Sequence, residues 1–125
     1  MAAIVLKDQN NLVETKNYPL AKYPFEKFNP VQSRIIEVYS DDANVIVAAA
    51  TSSGKTITSE IVAAHEVKNG KIIYIAPLKA LAKEKIDDWS KEDHHFSKYK
   101  KAICTGDYRL TPERKKELEE ANLIM

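Results

Sequence analysis

The sequence predicts an α/β fold, a parallel sheet with flanking helices. Apolar runs at residues 45–49, 71–77, 101–105 and 122–125 alternate with segments whose apolar residues recur at helical spacing. Parallel strands must be joined by crossovers, and helices supply them. A loop of small residues between the first run and the helix after it is the other observation, because its residue types point to a ligand.

The elements follow in order. Residues 1–29 are mixed and hold two X-Pro steps, Tyr18-Pro19 and Tyr23-Pro24, so they read as an irregular leader with one short strand at 3–7. Asn29-Pro30 begins a helix, a capping residue before proline at the first helical position, and Val31, Ile35, Ile36 and Val38 give it an apolar face. Val45–Ala49 is a β-branched run suited to a strand buried on both faces. The next helix carries Ile57, Ile61 and Ala64 and stops at Asn69-Gly70. Lys71–Pro77 is the second strand. Leu78, Leu81, Ala82, Ile86 and Trp89 share one face of the helix after it, which makes Trp89 a core residue. Lys101–Thr105 is the third strand, with Cys104 as an inert buried thiol. Thr111 caps a helix that opens with Pro112. Residues 122–125 begin a fourth strand, and a buried strand is an unusual place for a domain to stop, so the chain reads as a fragment.

Composition narrows the function classes. The chain has 125 residues, 44% of them hydrophobic and 30% charged, with a net charge of +1. It is one globular domain at most, and its overall charge offers no argument for a nucleic-acid partner. One cysteine excludes an internal disulfide framework and fits a reducing, intracellular setting, cytoplasm or nucleus. Its apolar runs are too short to span a membrane, so no membrane partner is expected. His94-His95 with Cys104 does not form a zinc set, since adjacent side chains are expected to diverge and no fourth ligand is suitably spaced. His65 reads as a core or rim residue, and Arg114-Lys115-Lys116 with Glu117, Glu119 and Glu120 as a charged helix exterior.

Residues 49–56 read Ala-Ala-Thr-Ser-Ser-Gly-Lys-Thr. A triphosphate needs several backbone N–H groups converging on one spot, so the loop that binds it is built of small residues. Lys55 supplies a cation for the β and γ phosphates, and Thr56 a hydroxyl for Mg²⁺. The following helix points the positive end of its dipole at the same place. ATP and Mg²⁺ are the expected ligands, with Ala49 standing where the strict pattern has glycine.

Three further segments align with this loop: Phe28-Asn29-Pro30-Val31-Gln32, Ala76-Pro77-Leu78-Lys79-Ala80-Leu81 and Thr105-Gly106-Asp107. Together the four resemble the first RecA-like domain of a superfamily 2 helicase, with wording similar to the DExH, superkiller-like branch. The resemblance covers residues 28–125, leaving 1–27 as the leader, and implies the N-terminal, incomplete part of a P-loop NTPase domain. It implies that Gln32 reads adenine, with Phe28 or Pro30 near the base. Thr51, Ser52, Ser53, Gly54, Lys55 and Thr56 would wrap the phosphates, Lys55 as the catalytic lysine. Pro77, Leu78, Lys79 and Ala80, then Thr105 and Gly106, would touch the backbone of a nucleic acid, DNA or RNA, single-stranded or duplex. The resemblance further implies a second RecA-like domain as partner. The family's Asp-Glu box is missing from these residues, so the chain is expected to bind nucleotide weakly and hardly to hydrolyse it. Two rivals stay open: a small P-loop kinase or nucleotide transferase, and a non-enzymatic nucleotide-binding module.

Overall fold

The structure, a computed structural model, describes residues 12–18, 21–39, 44–51 and 53–125. Its elements are α1 (Pro30–Val38), α2 (Lys55–Glu66), β1 (Ile72–Ile73), α3 (Lys79–Trp89), β2 (Lys101–Ala102), α4 (Pro112–Glu120) and β3 (Leu123–Ile124). The expected α/β alternation with a parallel sheet is present. The chain divides into two compact units, Met1–Ala63 and Ala64–Met125.

In the first unit, Phe28, Ile35 and Ile61 form the core. The rings of Tyr18, Tyr23 and Phe25 meet Phe28 edge-on, with centroids 6.1, 4.9 and 5.7 Å away. Such edge-to-face pairs add to area burial because the positive ring edge meets the negative face. Burial also drives the Tyr23 phenol well above the ordinary tyrosine range, with the Glu60 carboxylate adding to the effect. Residues 12–18 and 21–27 are tied down rather than loose: Val13 N–H donates to the Ser33 hydroxyl at 3.0 Å, and Phe28 N–H donates to the Val13 carbonyl at 2.9 Å. A short 3-10 helix, Thr15–Asn17, lies within this stretch. The strand expected at 3–7 lies outside the described residues.

The second unit is built on a three-stranded parallel sheet of order β1-β3-β2. Ile72 and Lys101 both stand opposite Leu123, and Ile73 and Ala102 opposite Ile124. Trp89, fully buried, is packed edge-on by Phe96 at 4.7 Å and Tyr74 at 5.5 Å. Lys71 donates to the carbonyls of Leu118 at 2.6 Å and Glu119 at 2.8 Å, placing a cation on the negative end of α4. Thr111 caps α4 as expected, accepting from Arg114 N–H at 3.2 Å. Half-burial lowers the pKa of Lys101, whose ammonium donates to the carbonyls of Phe96 at 2.7 Å and Tyr99 at 2.8 Å.

Several expectations are corrected. No strand forms over 45–49; that run makes no ladder among the described residues, and a strand exists only where its backbone groups pair. Ile75, two residues past β1, is 89% exposed. Leu78 and Leu81 are exposed because Leu78 precedes α3 as its N-cap, and Ala82, Ile86 and Trp89 define the inward stripe. Cys104 is exposed: its N–H donates to the Met125 carbonyl at 2.6 Å, but it continues β2, an edge strand with no neighbour on its other side among the described residues. The rings of His94 and His95 do not diverge. Residues 91–99 are a series of turns, and the two rings lie 4.0 Å apart against Phe96.

Trp89→Ala is expected to destabilise the second unit by about 3–5 kcal/mol, read from urea unfolding followed by circular dichroism.

Candidate nucleotide loop and strand-end cleft

The phosphate-loop residues are positioned by α1. Asn29 caps that helix with its side-chain oxygen, which accepts from Gln32 N–H at 2.9 Å, and the Gln32 side chain returns the bond, accepting from Asn29 N–H at 3.0 Å. The outer ends of both amides then reach the loop. Asn29 Nδ2 donates to the Ser53 carbonyl at 2.8 Å, and Gln32 Nε2 to the Gly54 carbonyl at 3.3 Å. The Gly54 carbonyl also accepts from Thr58 N–H at 3.3 Å and the Thr58 hydroxyl at 3.1 Å, which starts α2. Gly54 adopts φ +78°, and a Cβ there would come within 2.4 Å of Gln32 Nε2. Both the left-handed backbone and the close approach require glycine.

Lys55 and Thr56 are exposed at the first turn of α2, and the Lys55 ammonium folds back to the Ala49 carbonyl at 2.7 Å. Thr51 is exposed and Ser53 half-buried; Ser52 lies outside the described residues. Gln32 is buried with both amide atoms engaged, each keeping one further bonding position. Phe28 is a correction. It has no exposed surface, because the aromatic rings around it close the core, so it offers no face to a base. Pro30 is exposed on α1.

In the second unit a cleft of about 530 Å³ opens at the carboxyl ends of the strands, where open α/β sheets place their ligands. Pro77, Lys79, Thr105 and Gly106 line it, with Ile124 and Met125 between them. Leu78 and Ala80 are exposed but do not line it. The Lys79 ammonium pairs with the Asp107 carboxylate, joining the segments that follow β1 and β2. Unlike α1 and α4, α3 has no side-chain cap, since Leu78 has no acceptor to offer.

Residues 29–125 match the family described as DEAD/DEAH box helicase. The chain belongs to the DEAD/DEAH box helicase family. The helicase-family segments named above fall within the match or, for Phe28, at its edge. The chain is 36% identical over 121 residues to the RQC trigger complex helicase SLH1 of Saccharomyces cerevisiae, covering 94% of this chain and 6% of that protein. It is 39% identical over 109 residues to activating signal cointegrator 1 complex subunit 3 of Homo sapiens, covering 84% and 5%. It is 45% identical over 73 residues to the DExH-box ATP-dependent RNA helicase DExH14 of Arabidopsis thaliana, covering 55% and 3%. The chain thus spans about one-twentieth of the length of these helicase relatives. The similarity to the superkiller-like DExH branch holds, and with it the RecA-like P-loop fold. No helix among the described residues is long and apolar enough to cross a membrane.

Sequence reasoning separated two residues that work as a pair. Asn29 was read as a cap and Gln32 as a base reader, yet Asn-x-x-Gln at a helix start is the spacing of a reciprocal capping box. The Asp107 pairing carried no sequence signal, because it joins residues brought together only by the sheet.

Gly54→Ala is expected to lower unfolding stability by about 1–2 kcal/mol from the backbone conformation alone, measured by denaturant unfolding, and to weaken binding of an ATP analogue in the same preparation.

Proposed function

We propose that this chain is the nucleotide-gripping, N-terminal part of the RecA-like domain of an ATP-dependent helicase or translocase, with residues 28–125 in the domain and 1–27 leading into it. The observation that carries this reading is the loop at 49–56. Its Ser53 and Gly54 carbonyls are bonded outward to α1, Gly54 holds a left-handed turn, and Lys55 and Thr56 stand at the N-terminus of α2. Those are the requirements of a triphosphate cradle.

Lys55 would leave the Ala49 carbonyl for the β and γ phosphates, and the exposed Thr56 hydroxyl would hold Mg²⁺, which neutralises charge on the phosphates when bound. Gln32 would meet the adenine with the donor and acceptor positions its capping box leaves. In the other unit, Pro77, Lys79, Thr105 and Gly106 would take the sugar-phosphate backbone of a nucleic acid. The uncapped N–H groups at the start of α3 fit that role, and Leu78 and Ala80 would approach from the rim. RNA is the favoured polymer, because the Arabidopsis relative is named an RNA helicase. A second RecA-like domain as partner and an intracellular setting, cytoplasm or nucleus, complete the reading.

Lys55→Ala is expected to abolish binding of a fluorescent ATP analogue in Mg²⁺, measured by anisotropy, while the unmodified chain binds it with negligible turnover. Lys79→Ala is expected to weaken binding of a single-stranded RNA oligonucleotide several-fold without changing nucleotide binding. Unchanged nucleotide affinity in Lys55→Ala would overturn the loop assignment.

A further inference from the structure

Asn29 contacts the loop through an atom that its capping role does not use. Its Oδ1 accepts from Gln32 N–H at 2.9 Å, which is the cap. Its Nδ2 donates to the Ser53 carbonyl at 2.8 Å, which does nothing for the helix. A trans peptide unit holds its C=O and N–H in opposite directions, and no cis peptide occurs among the described residues. The Ser53 carbonyl therefore fixes where the Gly54 N–H points, and the Gly54 carbonyl, held by Gln32 Nε2 and Thr58, fixes the Lys55 N–H. These N–H groups therefore face away from α1.

Without the Asn29 bond, the 53–54 peptide would be free to rotate, because glycine on its C-terminal side accepts φ of either sign. A rotated peptide presents an oxygen where a phosphate needs a donor. Asparagine is suited to this position in a way other capping residues are not. Serine and aspartate cap a helix as well as asparagine does, but aspartate has no donor, and serine has a single short hydroxyl already committed to the cap.

We propose that Asn29 is a positioning residue for the phosphates: through the Ser53 carbonyl it holds the 53–54 peptide with its N–H turned into the triphosphate site. This rests on the reading of residues 49–56 as a nucleotide loop. Its effect falls on the phosphates and not on the base, so a base-free probe isolates it.

The test uses the whole chain and two ligands, ATP and inorganic tripolyphosphate, each competing with a fluorescent ATP analogue. Asn29→Ser keeps a neutral cap and removes the donor. Its expected phenotype is about tenfold weaker binding of both ligands by the same factor, the scale of one lost hydrogen bond, with an unfolding midpoint close to that of the unmodified chain. Asn29→Asp, also a competent cap, should weaken both ligands at least as much. Asn29→Ala should lose stability as well as affinity. Unchanged tripolyphosphate binding in Asn29→Ser overturns the proposal, as does a loss confined to ATP, which would place the effect at the base. If Asn29→Ser is as unstable as Asn29→Ala, the residue serves the helix alone and the proposal also fails. Lys55→Ala separates this from the underlying reading: tripolyphosphate binding that survives in Lys55→Ala sinks the loop assignment itself, whereas binding lost there but unaltered in Asn29→Ser sinks only the role of Asn29.

Discussion

The backbone of Asn122–Met125 is bonded on both sides, and the second unit is organised around that fact. Ile72 N–H donates to the Asn122 carbonyl at 2.8 Å from one flank, and Leu123 N–H donates to the Lys100 carbonyl at 3.0 Å on the other. Because β3 lies between them, β1 and β2 are not neighbours; they stand roughly 9–10 Å apart, two strand spacings. The segments that leave β1 and β2 therefore lie on either side of β3. Ile124 and Met125, in the intervening strand, line the cleft between those segments. The strand order thus places Pro77 and Lys79 on one side of the cleft and Thr105 and Gly106 on the other.

The first unit solves a different problem. A phosphate loop must turn several N–H groups inward, which turns carbonyls outward, and outward carbonyls need partners. Here α1 supplies them. Its first turn satisfies its own N–H groups by reciprocal capping, and the same two side chains extend one bond further to consecutive loop carbonyls. Helix start and loop conformation are thus one hydrogen-bonded network. Removing the cap leaves a helix N–H without its partner, whereas removing an outer donor leaves a half-buried loop carbonyl that water can satisfy but not orient.

Much of this was legible in the residues. Caps such as Asn29 and Thr111 are local chemistry, fixed within one turn of chain, and they were read correctly. So were the burial of Trp89 and the parallel pairing of a βαβ chain. What failed was non-local. Cys104 was expected to be buried because parallel strands usually are, but burial depends on what lies against a strand rather than on its own composition. The 45–49 run has strand propensity yet no ladder among the described residues. Phe28 could be assigned to a base only while its three aromatic neighbours were unknown, since Tyr18, Tyr23 and Phe25 give no periodic sign that they converge on it. At the candidate site, residue types that chemistry demands (Gly54, Lys55, Thr56) were visible, whereas carbonyl partners such as Asn29 were not, because a backbone acceptor leaves no mark in a sequence.

The near-neutral charge of the chain also bears on how such a cleft would hold a polyanion. Lys79 is the cation that lines it, and Asp107 already pairs with that cation. Both side chains are more than half exposed, 61% and 63%, so the pair is worth at most about 1 kcal/mol and yields readily to a competing phosphate. Yielding leaves the Asp107 carboxylate beside the incoming backbone, which offsets part of what Lys79 contributes. If the cleft takes a sugar-phosphate backbone as proposed, side-chain charge supplies little net attraction there, and the uncapped N–H groups of α3 carry more of it. Neutral donors of this kind neutralise no phosphate charge and release few counterions, so the grip depends more on the position of the strand ends than on ionic strength. A grip governed by position is one that a shift of the flanking segments can release.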